Sequence, residues 1–251
     1  MYNKDFFTQS IDSYHAAKII IPILKDLISP SSVLDVGCGV GSWLKAWLEV
    51  YPDIEIAGID GPYIMKKDLV IDHKRFQKYD LKFPFNLNRT FDLVTSFEVA
   101  EHLPETSADS FVRSLTEHGS IIAFSASIPY QDGTHHINEQ YPEYWAQKFM
   151  KYGFHAVDII REKIWDNEQI PYWYKQNILI FINSAALEKY PILQQQAIQT
   201  NPAFLTRIHP DKWERKNKHL QHISKSVFNF VRWKYLSRVK MFVIKLVRSR
   251  I

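Results

Sequence analysis

The chain has 251 residues, of which 46% are hydrophobic and 23% are charged; this composition is ordinary for a globular protein and provides for a substantial core. Its single cysteine, Cys38, excludes an internal disulfide framework and favours a reducing compartment. The first residues, MYNKDFFTQSID, carry acids and lack a continuous apolar run, and no stretch of about 18 apolar residues follows. We therefore expect a cytoplasmic protein without a secretion signal or a membrane-spanning helix.

The net charge of +4 conceals two regions of opposite sign. Residues 203–251 contain thirteen Lys and Arg against two Asp and Glu, a balance of +11. The rest of the chain has a balance of −7. A mildly acidic body thus carries a strongly basic tail.

Predicted strands and helices alternate along the chain. Residues 1–30 have the spacing of a helix, which Pro22 is expected to kink or split. Apolar runs then predict strands, and amphipathic segments after the first, fourth and fifth of them predict helices. The strands are SVLDVGCG, IEIAGID, RFQKYD, FDLVTSF, GSIIAFSASI, HAVDII and NILIFIN. The helices are SWLKAWLEVY, ETSADSFVRSLTEH and NEQYPEYWAQKFMKYG.

This alternation predicts the fold class α/β, with a mostly parallel sheet and helices on both faces. The last two strands have no helical pattern between them, so we expect them to pair antiparallel. After Asn183, the segment beginning SAALEKY indicates a helix and then a linker. We therefore expect one domain over residues 1–185 and a helical basic C-terminal extension over residues 186–251.

The turn after the first strand, in VLDVGCGVG, has the composition of a ligand-binding loop. Gly37 and Gly39 permit positive φ and close approach of the backbone to a ligand, and Asp35 ends the strand beside them. Acids also end the next two strands, Asp60 in AGIDG and Asp80 in KYDLKFPF. In open α/β sheets, ligands bind outside the carboxyl ends of the strands. An acid at the second strand end can hold ribose hydroxyls, and one at the third can accept from an adenine amino group.

The order DVGCGVG, GIDG, YDL and FDLVTSFEVAEHL resembles that of the class I S-adenosylmethionine-dependent methyltransferases, over residues 14–183. The resemblance implies a Rossmann-like seven-stranded sheet whose last strand is antiparallel, with S-adenosylmethionine as cofactor. It implies that the first turn cradles the methionine end, that Asp60 holds the ribose, and that Asp80 and Leu81 border the adenine. The cofactor-binding residues expected on this match are Asp35, Gly37, Cys38, Gly39, Asp60, Gly61, Asp80, Leu81 and Phe97.

The alternative for this loop is an NAD-binding Rossmann enzyme with a similar turn. The spacing in DVGCGVG lacks the later glycine of the dinucleotide pattern G-x-G-x-x-G. The methyltransferase interpretation is therefore the one favoured.

The stretch SFEVAEHLPE (residues 96–105) follows the fourth strand and brings together Glu98, Glu101 and His102. On a short helical turn these positions are i, i+3 and i+4 and share one face. The loop after the neighbouring fifth strand, GTHHINEQ, adds His136, with His135 as its substitute. Two carboxylates together with imidazoles predict a divalent-metal site for Mg, Mn or Zn. The predicted metal ligands are Glu98, Glu101, His102 and His136, and the predicted catalytic residues are Glu101, His102, His135 and His136.

The pattern E-x-x-E-H followed by a histidine resembles small-RNA 2′-O-methyltransferases that hold magnesium, and E-x-x-E-H alone resembles ubiquinone-pathway O-methyltransferases. A metal would lower the pKa of a substrate hydroxyl and orient it for attack on the methyl carbon. The alternative is that Glu98 and His102 order the loop and a histidine acts directly as the base.

The acceptor is predicted to be a sugar or surface-glycan hydroxyl. The segment REKIWDNEQIPYWYKQN, after the sixth strand, is expected over the mouth of the site, and its aromatic residues suit sugar rings or stacked bases. This segment and GTHHINEQYPEYW loosely resemble bacterial methyltransferases of glycan clusters. An RNA ribose, a small molecule, or a non-catalytic scaffold with this fold are the alternatives.

The basic tail, residues 225–251, has apolar residues near helical spacing among Lys and Arg. This composition is typical of a helix lying on an anionic membrane surface, here the inner face. Packing on a partner or a second copy as a homo-oligomer, and nucleic-acid binding, are the alternatives in that order.

Overall fold

The computed structural model describes residues 4–131, 133–218 and 220–226. The chain divides into two compact units, Met1–Arg207 and Ile208–Ile251. The first unit extends beyond the predicted boundary at 185, because the fully buried Leu193 and the nearly buried Leu205 join its apolar cores. In the second unit, residues 210–218 and 220–226 are helical.

Seven strands of the described chain form one sheet in the order β3-β2-β1-β4-β5-β7-β6. Strands β1 to β5 run parallel, whereas β7 pairs antiparallel with both β5 and β6. The predicted Rossmann-like sheet with an antiparallel last strand is therefore confirmed. The strands are β1 Ser32–Val36, β2 Glu55–Asp60, β3 Phe76–Lys78, β4 Leu93–Phe97, β5 Ile121–Ser125, β6 Phe154–Val157 and β7 Leu179–Asn183.

Eight helices lie in the first unit as described. They are α1 Lys4–Ile28, α2 Ser42–Val50, α3 Ala108–His118, α4 Pro142–Lys151, α5 Ile160–Ile164, α6 Tyr172–Asn177, α7 Ser184–Leu187 and α8 Pro191–Gln199. Short 3₁₀ turns lie at Lys66–Asp68, His73–Arg75, Ala100–His102 and Glu105–Ser107.

Two local predictions differ from the structure. Helix α1 continues through Pro22 and is not split there. Helices α5 and α6, with five and six residues, lie between β6 and β7, where no helix was expected. They were missed because a helix of one or two turns is too short to show a period of 3.6 residues.

Alternate residues of the strands bury two apolar cores, one on each face of the sheet. Val33 belongs to the core that contains Ile20 of α1 and Trp47 of α2. Its neighbour Leu34 belongs to the opposite core, which contains Phe111 of α3 and Phe149 of α4. Both faces of the sheet are thus covered by helices. The edge formed by the carboxyl ends of the parallel strands is where open α/β sheets bind ligands.

No helix in the described part of the chain combines the length and hydropathy of a membrane span. The predicted membrane-surface helix over 225–251 lies, from residue 227 onward, outside the described residues.

Candidate active site

The glycine-rich turn joins the carboxyl ends of β1 and β2. Gly37 and Cys38 donate their backbone N–H groups to the carbonyl of Ile59, at 2.8 and 3.2 Å. Gly37 and Gly39 have φ of 81° and 55°, as the sequence predicted. Gly41, which had no predicted role, has φ of 91° and begins α2. The turn therefore depends on left-handed backbone that only glycine adopts without strain.

Gly37 also packs against the turn that follows β4, because a Cβ built on it would lie 2.4 Å from Cγ2 of Val99. We expect Gly37→Ala to lower the free energy of unfolding by about 2–4 kcal/mol, from left-handed strain and steric overlap together. Gly153 is the matched control, since its φ is 77° but no described atom lies within 4 Å of its built Cβ. Gly153→Ala should lose only about 1–2 kcal/mol. Urea denaturation measures both, and equal losses would contradict a close contact at Val99.

Asp60 organises the turns on both sides of it. Its Oδ2 accepts from the Gly39 N–H at 2.6 Å, and its Oδ1 accepts from the Gly61 N–H at 2.5 Å and from the Tyr63 hydroxyl at 2.6 Å. Burial raises the pKa of Asp60, and the bonds from Tyr63, Gly39 and Gly61 act in the opposite direction. The predicted ribose-binding acid is thus in place at the end of β2.

Asp35 is buried near the end of β1 and accepts from the Thr95 hydroxyl at 2.7 Å. Burial raises its pKa to about 7; the Thr95 bond lowers it and the charge of Asp60 raises it further. A cationic group bound beside Asp35 would favour the ionised carboxylate. The resemblance assigns Asp35 to the residues that bind the methionine end of the cofactor.

The other predicted cofactor residues lie along the same edge with different exposure. Asp80 is exposed and accepts from the Lys82 N–H at 3.2 Å, whereas Leu81 is buried. Phe97 is buried, with its ring centroid 4.4 Å from that of Trp43. Strand ends β1 to β4 therefore present all the predicted cofactor-binding positions at one edge of the sheet.

Glu101 is the most unusual residue of this edge. It is fully buried in the turn Ala100–His102, and neither of its carboxylate oxygens has a hydrogen-bond partner of normal geometry among the described residues. Burial, followed by the charge of Glu98, raises the pKa of Glu101 well above 4.5, and the nearby backbone N–H groups of Glu101 and Ser127 oppose this shift. An unpartnered buried carboxyl is costly, and such groups concentrate at functional sites.

Two imidazoles lie beside Glu101. The ring centroids of His102 and His136 are 4.8 Å apart, and one ligand atom from each of Glu101, His102 and His136 lies within 4.8 Å of the others. The loop that carries His136 is held to this turn, because the N–H groups of Ile137 and Asn138 donate to the Glu101 carbonyl at 2.9 and 3.0 Å. The neighbouring ends of β4 and β5 thus bring together residues distant in sequence.

His102 is exposed at this position, and its Nδ1 lies 3.3 Å from the carbonyl of His135. Although the residue is exposed, partial loss of solvation around its ring, followed by the proximity of His136, lowers the pKa of His102. The predicted catalytic residue His135 is itself exposed and has φ of 62°. It contributes its carbonyl to the site, whereas the ring of His136 joins the cluster.

Glu98 lies outside that group of three. Its φ is 53°, and its carboxylate accepts from Nδ2 of Asn177 at 3.1 Å and from Nε2 of Gln131 at 2.8 Å. Burial raises the pKa of Glu98, and the bonds from Asn177, Ser125 and Gln131 oppose the shift. Of the four predicted metal ligands, the structure brings Glu101, His102 and His136 together. The fourth, Glu98, instead accepts hydrogen bonds from the side-chain amides of Asn177 and Gln131.

Three further residues support the site through contacts that were not predicted from the sequence. Gln131 and Asn177 hold Glu98, and Glu139 contacts His136. Asn177 and Gln131 are also joined to each other at 2.8 Å. No spacing rule would have found these amides, because the contact between Glu98 and Asn177 spans two non-consecutive elements.

The predicted aromatic mouth is partly core. Trp145, Tyr172 and Tyr174 are buried, and the fully buried Arg161 pairs with Asp158 at 2.6 Å. These three rings are not available to stack on an acceptor, whereas Trp165 and Trp173 are partly exposed.

The family comparison agrees with this geometry. A family model described as a methyltransferase domain matches residues 9–151, more than half of the chain. No curated protein sequence matches the chain significantly.

Several solved structures share the fold at low identity. DesVI of Streptomyces venezuelae has a TM-score of 0.56 and 17% identity, over 72% of this chain and 96% of its own. The sugar N-methyltransferase KedS8 of a Streptoalloteichus species has a TM-score of 0.55 and 15% identity, over 72% and 93%. The methyltransferase domain of a bacterial CtHen1 has a TM-score of 0.51 and 22% identity, over 68% and 98%. At such identities the likeness establishes the fold. With the family match and the strand-end geometry, it places this chain in the methyltransferase-domain family of class I S-adenosylmethionine-dependent methyltransferases.

Proposed function

We propose that the enzyme methylates a hydroxyl of a sugar or surface glycan, using S-adenosylmethionine and a divalent cation. The observation that carries this proposal is the fully buried, unpartnered carboxylate of Glu101 beside two imidazoles. A hydroxyl must lose a proton during transfer, and this group of side chains is suited to promote that loss. An amine acceptor must also be deprotonated, but a hydroxyl is a much weaker acid than an ammonium group and so depends more on such a cluster.

The three side chains fit a metal ion. A carboxylate oxygen and two imidazole nitrogens are ligands that Mn²⁺ and Zn²⁺ accept, with water completing the coordination, and Mg²⁺ would rely more on the carboxylate. The ion would supply Lewis acidity that lowers the pKa of the acceptor hydroxyl. The buried carboxylate of Glu101 lacks a hydrogen-bond partner among the described residues, so a bound metal ion would compensate its charge.

The chain's own residues prepare the two substrates. Asp60 and the glycine turn would hold the cofactor, whose sulfonium carries the transferable methyl group. The lowered pKa of His102 favours its neutral imidazole, whose one free lone pair would bind the ion. As the acceptor oxygen attacks the methyl carbon, the C–O bond forms, the C–S bond breaks, and the hydroxyl proton passes to solvent. Only in the absence of an ion would the lone pair of His102 be free to take that proton.

The sugar acceptor is supported by exposed apolar side chains on the loop that carries His136. Tyr130, Ile137 and Tyr141 are 76%, 63% and 47% exposed, and the N–H of Ile137 is bonded to the Glu101 turn. Aromatic and apolar faces suit the C–H faces of sugar rings. KedS8, which has a similar fold, is a sugar N-methyltransferase; this supports a sugar acceptor and not the choice of oxygen as the methylated atom.

An RNA ribose hydroxyl is the second candidate. It is favoured by the charge of +11 over residues 203–251, which would attract phosphates. The same charge supports the association with an anionic membrane face that we propose for residues 225–251, where a lipid-linked glycan would be presented.

Transfer of labelled methyl from S-adenosylmethionine into fractionated host extract tests the proposal, with and without chelator. We expect label in the glycan or lipid-linked fraction, lost with chelator and restored by Mg²⁺ or Mn²⁺. His136→Ala should abolish the restoration, because it removes one of the three proposed ligands.

Label in RNA would instead favour the second candidate. Activity that is insensitive to chelator would contradict the proposed use of a divalent cation. His102 would then be the candidate for the base that takes the proton directly. The scaffold alternative requires that the protein neither bind S-adenosylhomocysteine nor transfer label.

A further inference from the structure

Glu139 contacts three groups around the histidine loop. Its Oε1 lies 2.9 Å from Nδ1 of His136 and accepts from the Ser127 hydroxyl at 3.2 Å. Its Oε2 accepts from the N–H of Tyr130 at 2.8 Å. The side chain of Glu139 is 21% exposed and that of His136 is 12% exposed. The carboxylate therefore spans the loop from the end of β5 to the histidine.

The Glu139 carboxylate lies against one of the two ring nitrogens of His136, Nδ1. An ionised carboxylate only accepts hydrogen bonds, so a neutral imidazole facing it must hold its proton on Nδ1. Nε2 of His136 then has a free lone pair. His102 is arranged in the same way, because its Nδ1 faces the carbonyl of His135 at 3.3 Å.

A second contact restricts the ring of His136. A Cβ built on Gly133 would lie 2.1 Å from Cε1 and 2.2 Å from Nε2 of the His136 ring. The ring thus lies directly against glycine backbone on one side, while Glu139 holds Nδ1. These two restraints leave the imidazole little rotational freedom.

We infer that Glu139 is a positioning residue that holds His136 as the Nδ1–H tautomer, with Nε2 available to a divalent cation or a proton. The inference deepens the proposed function and rests on it for the role of His136. A carboxylate behind a ligating histidine fixes its orientation, and removing such a carboxylate weakens metal binding by about 10- to 100-fold.

Two measurements test the inference on the full chain. In ¹⁵N-labelled, metal-free protein, long-range ¹H–¹⁵N correlations report the tautomer of each imidazole, and His136→Gln identifies the signals of His136. We expect the Nδ1–H tautomer in the wild type and a mixture in Glu139→Ala. Binding of Mn²⁺, followed by electron paramagnetic resonance, should weaken by about 10- to 100-fold in Glu139→Ala.

Glu143→Ala is the matched control. Glu143 is a nearby carboxylate that accepts from the Leu205 and Thr206 N–H groups and from the Thr206 hydroxyl, with no histidine among these bonds. It should leave the tautomer of His136 and the affinity for Mn²⁺ unchanged. Glu139→Gln covers the case in which Glu139→Ala does not fold, because its amide oxygen can still accept from Nδ1–H and should retain that tautomer.

An Nε2–H tautomer in the wild type, or an unchanged tautomer in Glu139→Ala, would overturn the inference. Equal effects of Glu139→Ala and Glu143→Ala would overturn it as well. A wild type that transfers no methyl group would contradict the proposed function alone, because the spectra are recorded without metal or substrate.

Discussion

Glu101→Gln should reduce methyl transfer by about 10²- to 10⁴-fold, the range that a positioned acid–base group contributes. The substitution keeps the shape of the side chain and removes the charge that a cation or a transferred proton would need. Because the carboxylate is fully buried and unpartnered, its ionised form also destabilises the fold. The same substitution should therefore raise stability at neutral pH in the absence of metal.

The direction of the pH effect follows from the raised pKa of Glu101. In the unfolded chain the carboxyl ionises near its ordinary pKa of 4.5, whereas in the folded protein it retains its proton to higher pH. Above 4.5 the folded state therefore binds more protons than the unfolded state, and stability falls as the pH rises toward the folded pKa. Glu101→Gln should lack this decrease.

Urea denaturation of wild type and Glu101→Gln between pH 4 and pH 8, with chelator present, measures the effect. Glu117→Gln is the control, because Glu117 forms an exposed pair with Arg113 at 2.8 Å and should change stability little. Identical pH profiles for wild type and Glu101→Gln, or wild-type activity in the variant, would refute the assigned role of Glu101.

Asp60→Ala should weaken binding of S-adenosylhomocysteine by about 100-fold or more, since hydrogen bonds to a charged group contribute about 1.5–3 kcal/mol each. The carboxylate orders the Gly39 and Gly61 N–H groups and the Tyr63 hydroxyl. Its loss removes the acid proposed for the ribose and also releases both turns around it.

Isothermal titration calorimetry with S-adenosylhomocysteine measures this loss. Asp72→Ala is the matched control, because Asp72 is an exposed carboxylate that accepts from the Lys74 N–H at 2.9 Å and has no proposed contact with the cofactor. The Asp72→Ala protein should bind S-adenosylhomocysteine with the same affinity as the wild type. Near-normal affinity in Asp60→Ala would rule out the ribose assignment.

Much of the fold was predictable because its signals are local. Most of the strands are short apolar runs, the first three predicted strands end in glycine or an acid, and amphipathic segments lie between several of them. The sequence of turns was enough to predict the order of the strand ends at which the proposed cofactor-binding residues lie. Helices α5 and α6 were not predicted, because they have too few residues to show a periodic pattern.

Part of the site was predictable for a topological reason. Strands β4 and β5 are neighbours in the parallel sheet, so the loops after them open on the same edge, and Glu101 meets His136. The roles of the two glutamates were not predictable, because both belong to the same motif. Asn177 and Gln131 satisfy Glu98, whereas Glu101 has no such partner among the described residues.

The sequence by itself determined the family, the mostly parallel sheet and the strand ends at which acids, glycines and histidines lie. The tertiary structure alone decided which carboxylate is satisfied and which is buried without a partner, and which aromatic rings belong to the core. Local patterns specify secondary structure and turns through short-range sterics and hydrophobic periodicity. The burial and partners of a polar side chain depend instead on elements far apart in the chain, which only the packed fold brings into contact.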